Sequence, residues 1–332
     1  MSLTSQLADP QSPVTRFLDE QFPPERIRPI SKSWYELVKP TSVVRPDMEN
    51  PPWGTIGTAF DYRLRYFWAE TPVDDLVAAS GMRILDTQRI FTRARDSVPD
   101  GFLELNYPDV PPAAKRVEPL LPEFADGLAR TLAELAPVGR SLGQNAEALL
   151  CQHCYVLALF EQIFRAGPWI NSPLYELKKG ATLTDLLGLG SDTAIDDLGA
   201  LSQLFYDRHG ELTEHAAVLN PMFAGSVDIG GADADLIIEN CLIELKTTPK
   251  PDFERKGLLY QLLGYVLLDY EDEYGIEEVG VYLARRGLLI RWQLEPLLET
   301  IAEQARLPEL RTGFKKAVEV ARRMEGPAFV DT

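Results

Sequence analysis

Two carboxylates and one ammonium group, those of Asp235, Glu244 and Lys246, lie close together in the amino-acid sequence. Hard divalent cations such as Mg²⁺ bind carboxylate oxygens and keep water or phosphate oxygens as further ligands. A lysine beside such an ion can neutralise negative charge that develops during a reaction. These residue types therefore indicate a candidate metal site, provided that the chain brings the three side chains together.

The elements that must position these side chains are predicted to be the two strands of a β-hairpin. Residues 231–238 and 241–247 alternate small or polar residues with apolar ones, as half-buried strands do. A two-residue loop at Glu239-Asn240 places Asp235 opposite Glu244. A three-residue loop would move Asp235 away from Glu244, so the metal site depends on the register of the hairpin.

One face of this hairpin is predicted to carry four charged side chains. Because side chains alternate along a strand, Asp233 and Asp235 of the first strand share a face with Glu244 and Lys246 of the second. Carboxylates directly opposite each other repel, and a cation between them would relieve that repulsion. Asp233 and Lys246 could alternatively form only a cross-strand ion pair.

Length and composition restrict the class of protein. The chain has 332 residues, with an apolar fraction of 45% and a charged fraction of 25%, which is typical of one large or two ordinary soluble globular domains. No apolar run approaches the roughly 18 residues of a membrane span, and no secretory signal is recognisable. Three cysteines provide no disulfide framework, so we expect a cytoplasmic protein that does not contact membranes.

Residues 1–190 are predicted to form a mostly helical N-terminal region of unassigned role, which could bind a protein partner. Residues 1–52 are rich in proline and are expected to form an irregular arm. Helices are predicted from Thr55 onwards, where Asp61 and Arg65 could pair, and around residues 72–80, 119–135 and 145–166.

Three residues of the last of these helices, Cys151, His153 and Cys154, invite a metal-site interpretation. A structural zinc or iron–sulfur site requires four ligands of compatible geometry, and the third cysteine, Cys241, lies in the hairpin. Buried free cysteines behave as small apolar residues. We therefore expect these residues to pack in a core.

Residues 191–295 are predicted to contain the strands. The expected elements are a helix at 194–206, a strand at 216–223, the hairpin, a helix at 253–274 and strands at 279–284 and 288–294. Asp252 is the expected N-cap of the second helix and Gly275 its expected left-handed end. This order predicts an α/β (α+β) fold.

Residues 296–332 are predicted to be a basic helical segment. Six basic residues face only two acidic ones between positions 306 and 323. The pattern is typical of a solvated helix face, and a helix that follows phosphates is the alternative. The net charge of −17 argues against binding of polyanions through bulk electrostatics, although local charge can still attract a nucleic acid.

The combination of Asp235, the triplet Glu244-Leu245-Lys246 and the run Gln261-Leu-Leu-Gly-Tyr265 resembles the PD-(D/E)XK nuclease superfamily. The QxxxY run is similar to that of the branch with lambda exonuclease and the RecB nuclease domain. The resemblance covers less than a third of the chain. It implies a restriction-endonuclease-like αβββαβ core that hydrolyses DNA phosphodiester bonds with Mg²⁺ or Mn²⁺.

The resemblance also implies residue roles. Asp235, Glu244 and the carbonyl of Leu245 would bind the metal ion, which polarises the phosphate and activates water. Lys246 would orient that water or neutralise charge, and the nearby carboxylates favour its charged form. Gln261 and Tyr265 would position Lys246 or contact a DNA phosphate, although Tyr265 taken alone is typical of a half-buried helix residue.

Members of the superfamily usually have a further acidic residue, or in some branches a histidine, on a helix before the strands. Spacing singles out none of the candidates here, so one- and two-metal chemistry both stay open. The candidates are Asp61, Asp196, Asp197, Asp207 and Glu211. The four-cysteine iron–sulfur cluster of some relatives cannot be built from three cysteines.

The favoured hypothesis is a Mg²⁺- or Mn²⁺-dependent deoxyribonuclease. The resemblance implies a setting in DNA repair, in a mobile element or in defence against foreign DNA. A catalytically inactive nuclease fold that binds nucleic acid or a partner protein is the alternative, since the chain is acidic and its helical half is unassigned. A nuclease that acts on RNA is a third hypothesis.

Overall fold

A computed structural model of the chain describes residues 2–86, 111, 113–250, 252–302 and 306–324. The chain divides into two compact units. Residues 1–43 and 215–332 make one, which we name the sheet unit, and residues 44–214 make the other, the helical unit. The predicted division fell at residues 190 and 295. In the structure, the first 43 residues and the C-terminal helix share a unit with the strands.

Among the described residues, most helices precede the first strand, which begins at Ala217, and the other helices lie between or after the strands. The helices are α1 (Leu3–Ala8), α2 (Pro13–Gln21), α3 (Pro24–Val38), α4 (Trp53–Arg65), α5 (Ala78–Leu85), α6 (Ala114–Val117), α7 (Leu121–Leu135), α8 (Gln144–Ala166), α9 (Leu183–Leu187), α10 (Asp192–His209), α11 (Tyr260–Leu268), α12 (Leu294–Ile301) and α13 (Leu307–Met324). The strands are β1 (Ala217–Leu219), β2 (Leu236–Ile238), β3 (Cys241–Lys246), β4 (Glu278–Leu283) and β5 (Leu288–Gln293). Short 3₁₀ segments cover Val73–Asp75, Glu118–Leu120, Pro173–Glu176, Gly210–Glu214 and Ala284–Arg286, and a π-helical turn covers Arg255–Leu259.

The helical unit is built around α8, most of whose residues are buried. Cys151, His153 and Cys154 lie in its core, which confirms the packing interpretation. Arg63 of α4 is fully buried, and its Nε donates to Oε1 of Glu147 at 2.6 Å. A buried guanidinium requires such a partner, because an unpaired charge in a core is strongly destabilising.

Two predictions for the N-terminal half, one of a helix and one of an irregular arm, are wrong. The expected helix at 72–80 is a 3₁₀ turn followed by α5, because Leu76 has an extended backbone that separates them. The expected irregular arm contains α1, α2 and α3. Pro13 and Pro24 occupy the first positions of α2 and α3, where a helix does not need the missing N–H. The prolines therefore start helices here instead of preventing them.

The five strands form one mixed sheet in the order β1-β2-β3-β4-β5. Strands β3 and β4 are parallel, and the other neighbours are antiparallel. The parallel pair is connected by α11, since a crossover must return the chain to the same end of the sheet. The structure is thus α+β, with the strands of the sheet unit in the predicted sequence order.

The register of the hairpin is the predicted one. Ile238 pairs with Cys241 across the loop Glu239-Asn240, and Leu236 pairs with Ile243. Glu239 has a positive φ of 54°, which a tight turn of this length requires. The last two strands are also confirmed, within about one residue at each end, with Gly287 in the left-handed conformation between them.

The N-terminal helices cover α11. Leu3 packs directly on Gly264, where a Cβ atom would lie only 2.9 Å from the leucine side chain. The hydroxyl of Tyr260 lies 3.0 Å from two acceptors, Oδ1 of Asp19 and the carbonyl oxygen of Phe22, which share its one proton. Close packing of this kind makes the first 43 residues a part of the core of the sheet unit.

The C-terminal helix α13 uses several of its basic residues within the sheet unit. Buried Arg311 contacts Asp272 at 2.8 Å, Arg322 contacts Asp228 at 3.2 Å, and the Lys315 ammonium lies 4.7 Å from the centre of the Tyr270 ring. Arg311 therefore stabilises the sheet unit from inside and is not part of a solvated helix face. Residues 303–305 and 325–332 of the predicted C-terminal segment lie outside the described residues.

In the described part of the chain, no helix has the length and apolar character that crossing a membrane requires.

Candidate active site

Strand β2 diverges from β3 immediately before Leu236, and this divergence positions Asp235. A continued ladder would let the backbone carbonyl of Ala234 accept from Leu245. Instead the Asp235 carboxylate takes that place, and its Oδ2 accepts from the amide N of Leu245 at 2.6 Å. The sequence predicted that Asp235 pairs with Glu244 as a strand residue, and this prediction is wrong. The side chain of Asp235 nevertheless lies against β3.

The same divergence affects the carbonyl of Leu245. The N–H and C=O groups of one strand residue point towards the same neighbouring strand. The carbonyl of Leu245 thus faces the side where Asp235 lies. Ala234, whose N–H would bond to it in a continued ladder, donates to the carbonyl of Pro221 at 3.4 Å. Strand geometry therefore directs the Leu245 carbonyl towards the side of β3 on which Asp235 accepts from the Leu245 amide.

Glu244 is a buried carboxylate in the middle of β3. Its side chain is only 7% exposed, and Oε1 accepts from Nζ of Lys246 at 2.9 Å. Oε2 is buried and has no hydrogen-bond partner among the described residues. Burying a carboxylate oxygen without a partner costs several kcal/mol as an order of magnitude. An ion or a donor from a ligand would satisfy this oxygen.

Lys246, Gln261 and Tyr265 form a hydrogen-bonded chain from β3 to α11. Nζ of Lys246 donates to Oε1 of Gln261 at 3.2 Å. Nε2 of Gln261 donates to the hydroxyl of Tyr265 at 2.9 Å. The two helix residues meet because positions four apart share one face of a helix. Tyr265 is buried, which is a correction to the half-buried alternative, and its ring stacks on Phe223 at 5.8 Å.

The start of α11 differs from its prediction. A π-helical turn, Arg255–Leu259, precedes the α-helix, whose last residue is Leu268 and not Tyr274. Glu254 occupies the N-cap position without a side-chain cap, so the expected cap at Asp252 is wrong. Gly275 has a positive φ of 53° but follows a separate turn. Such π turns occur often at functional sites, and the residue before this one, Glu254, acts electrostatically on Lys246.

The charges of the site stabilise one another. Burial alone would lower the pKa of Lys246, but the attraction and hydrogen bond of Glu244, with smaller attractions from Asp235 and Glu254, raise this pKa above its ordinary value. Burial, followed by the charge of Glu244, raises the pKa of Tyr265. The site therefore contains a lysine and a tyrosine that keep their protons at neutral pH.

The candidates for a further acidic ligand lie in the helical unit. Asp61 pairs with Arg65, and Asp197 is buried in α10. The remaining candidates, also in the helical unit, are Asp196, Asp207 and Glu211. Within the sheet unit, Asp233 lies opposite Met222 in an isolated β-bridge. The charge of Asp233 contributes to the raised pKa of Tyr265.

Sequence reasoning missed two residues beside the site. The charge of Glu254, directly before α11 and its π turn, raises the pKa of Lys246. The sequence analysis missed this residue because it predicted the wrong start for the helix. Arg285 is buried, and its Nε donates at 2.6 Å to the carbonyl of Thr247, the residue after Lys246. Because Arg285 lies next to the turn at Gly287, its position in the sequence indicated only a loop residue. No sequence signal identified it as a neighbour of the site.

Comparisons of the chain with protein-family models, with curated proteins and with solved structures gave no match.

Proposed function

We propose that the sheet unit is a deoxyribonuclease that uses Mg²⁺ or Mn²⁺ to hydrolyse phosphodiester bonds. The observation that carries this proposal is the buried carboxylate of Glu244. One of its oxygens holds Lys246, while the other lacks a partner among the described residues. The carboxylate of Asp235 accepts at 2.6 Å from the amide N of Leu245, the residue after Glu244.

These oxygens fit a hard divalent cation. Mg²⁺ prefers one or two carboxylates and retains water or phosphate oxygens at its other positions. Asp235, Glu244 and the Leu245 carbonyl would hold the ion. When bound, such an ion polarises a phosphate and lowers the pKa of water. The donor set lacks thiolate and imidazole ligands, which softer metals favour.

Lys246 supplies a fixed positive charge next to these oxygens. Glu244 keeps the ammonium protonated, and Gln261 restricts where its Nζ can lie. An ammonium group held in this way stabilises negative charge on phosphate oxygens without a cost of reorganisation. Because it keeps its proton, Lys246 suits electrostatic stabilisation better than proton abstraction.

Tyr265 and Gln261 act on the substrate through Lys246. The hydroxyl of Tyr265 accepts from Nε2 of Gln261, which fixes the orientation of the amide and leaves Oε1 facing Lys246. The raised pKa of Tyr265 keeps this hydroxyl neutral. The chain from Tyr265 to Lys246 therefore serves as a positioning device on α11.

The test is cleavage of linear and circular DNA in Mn²⁺ by the wild type and by the variants Asp235→Ala and Lys246→Ala. Glu239→Gln is the matched control, since Glu239 is an exposed acidic residue of the same hairpin. We expect the wild type and the control to cut DNA, and both site variants to be slower by a factor of about 100 or more. Equal cleavage by all four proteins would show that the activity does not come from this site.

Two further measurements distinguish the deoxyribonuclease from a ribonuclease and from an inactive binding module. An RNA substrate of the same sequence distinguishes a ribonuclease. A protein that cuts neither substrate but binds DNA equally with and without Mn²⁺ would be an inactive binding module. Thermal unfolding of each variant confirms that a loss of activity is not a loss of folding.

A further inference from the structure

One carboxylate, that of Asp19 in α2, contacts both ends of the π turn that precedes α11. Its Oδ1 lies 3.0 Å from Nη2 of Arg255 and 3.0 Å from the hydroxyl of Tyr260. Nζ of Lys256 lies 3.9 Å from the other oxygen, Oδ2. The Arg255 guanidinium also lies 5.3 Å from the centre of the Tyr260 ring. A residue of the N-terminal helices therefore gathers the side chains of Arg255, Lys256 and Tyr260.

The two residues that Oδ1 of Asp19 joins are also the two that the backbone of the π turn joins. The amide N of Tyr260 donates to the carbonyl of Arg255, five residues earlier. An α-helix would use the carbonyl four residues earlier, so the π turn contains one additional residue. Such turns are rare, and the side-chain contacts of Asp19 close the same loop a second time. Asp19 therefore stabilises the π turn.

The surroundings of Asp19 strengthen these contacts. Tyr260 is fully buried, and its ring lies 6.3 Å from that of Phe22, the residue after α2. The side chains of Asp19 and Arg255 are 36% and 28% exposed, so water screens their attraction only in part. A fully exposed ion pair contributes little to stability, whereas this one shares its carboxylate with a buried hydroxyl.

The π turn determines the direction of Gln261, the residue directly after Tyr260. Oε1 of Gln261 accepts from Nζ of Lys246 at 3.2 Å. Successive residues of a helix are rotated by about 100°, so loss of the additional residue would rotate Gln261 by about that angle relative to the residues before the turn. The amide of Gln261 would then no longer face Lys246. The contact at Lys246 therefore depends on the turn that Asp19 stabilises.

We propose that Asp19 is a positioning residue for the nuclease reaction, because it fixes the π turn in the register at which the Gln261 amide meets the Lys246 ammonium. This inference rests on the proposed nuclease function. Asp19 acts through Tyr260, Gln261 and Lys246 in turn and is not one of the proposed metal ligands. Since Lys246 acts on the reacting phosphate, the loss of Asp19 should lower kcat and change KM little.

The chain offers matched variants for a test. Asp19→Ala removes all the contacts, whereas Asp19→Asn keeps an oxygen that can accept from Tyr260 but removes the charge. Glu20→Gln removes a carboxylate from an exposed position of the same helix. Phe17→Ala removes a ring that packs on Phe314 of α13 at 5.8 Å, which weakens the packing of α2 at a different contact.

The first measurement is kcat and KM on a DNA oligonucleotide in Mn²⁺, at a temperature at which thermal unfolding shows every variant to be folded. We expect Asp19→Ala to lower kcat about tenfold and to change KM by about threefold or less. The kcat of Asp19→Asn should lie between that of Asp19→Ala and that of the wild type. Glu20→Gln and Phe17→Ala should stay within about twofold of the wild type.

A second measurement separates the positioning of Lys246 from a general effect on the fold. In Lys246→Ala, the group that Asp19 positions is absent, so the addition of Asp19→Ala should change kcat by less than about twofold. An effect that does not pass through Lys246 would lower kcat by the same factor in both backgrounds.

Two outcomes would overturn the inference, and they are distinguishable. In the first, the wild type cuts DNA, but Asp19→Ala matches it, lowers kcat no more than Phe17→Ala does, or lowers kcat equally with and without Lys246. The positioning role is then wrong while the nuclease function stands. In the second, the wild type cuts no DNA, so the proposed function fails and the positioning role fails with it.

Discussion

Nζ of Lys246 lies 2.9 Å from Oε1 of Glu244, two residues earlier on the same strand. Side chains two apart share a face, so β3 alone sets this pair. The pair links the two parts of the proposed chemistry, because the carboxylate that keeps the Lys246 ammonium charged is also the one proposed to bind the metal ion.

Replacement of Lys246 should mainly lower kcat. In Lys246→Ala, the charge that stabilises the reacting phosphate is lost, and we expect kcat to fall about 100- to 1,000-fold while KM changes about threefold or less. Steady-state kinetics on a DNA oligonucleotide measures both. Lys250→Ala is the control, since Lys250 is an exposed lysine on the loop after β3. An effect on KM alone, or an equal effect of Lys250→Ala, would contradict this role.

Stability should fall at alkaline pH. Burial raises the pKa of Tyr265, and Glu244 outweighs burial to raise that of Lys246, so the folded state holds these protons more tightly than the unfolded state. Such groups contribute stability that is complete below their ordinary pKa, about 10, and is lost as the pH rises above it.

Urea unfolding between about pH 8 and pH 11 tests this expectation. The free energy of unfolding should be nearly constant up to about pH 9 and should then decrease. Tyr265→Phe removes one titrating group, so its decrease should be shallower than that of the wild type. A stability that rises over this interval would contradict the direction of both shifts.

Residues 1–43 should be required for the stability of the sheet unit. Trp34 of α3 is fully buried, stacks on Trp292 of β5 at 6.1 Å and contacts Phe253 at 5.8 Å. Trp34→Ala should lower the free energy of unfolding by roughly 3–5 kcal/mol, as for other large core residues. Leu37→Ala, at an exposed position of the same helix, should change it by about 0.5 kcal/mol or less. If Trp34→Ala and Leu37→Ala both changed the free energy of unfolding by this small amount, residues 1–43 would not be required for the stability of the sheet unit.

The order of the strands and the register of the hairpin could be predicted because their signals are local, but the strands predicted at 216–223 and 231–238 are only Ala217–Leu219 and Leu236–Ile238. Alternation over a few residues and a two-residue loop determine which side chains share a face, and the structure confirms this for Ile238 and Cys241. The Gln261 and Tyr265 pair followed from helical spacing in the same way. Local patterns thus identified the residues that the structure brings together at the site.

The features that the sequence did not predict depend on distant contacts. The prolines of residues 1–52 suggested an irregular arm, but packing on α11 stabilises helices there, as Leu3 on Gly264 shows. The position of Asp235 depends on where β2 leaves β3, and Pro221, which accepts from Ala234, is remote from the hairpin in sequence. The buried contact of Arg285 with Thr247 likewise joins residues far apart in the chain.

Binding of Mn²⁺, measured by isothermal titration calorimetry, tests the central claim most directly. The wild type should give a saturable isotherm, and Glu244→Gln, which replaces the buried carboxylate by a neutral amide, should weaken binding at least about tenfold. Glu239→Gln, in the exposed loop of the same hairpin, should bind as the wild type does. Absence of binding by the wild type, or equal binding by Glu244→Gln, would contradict a divalent ion at Asp235 and Glu244.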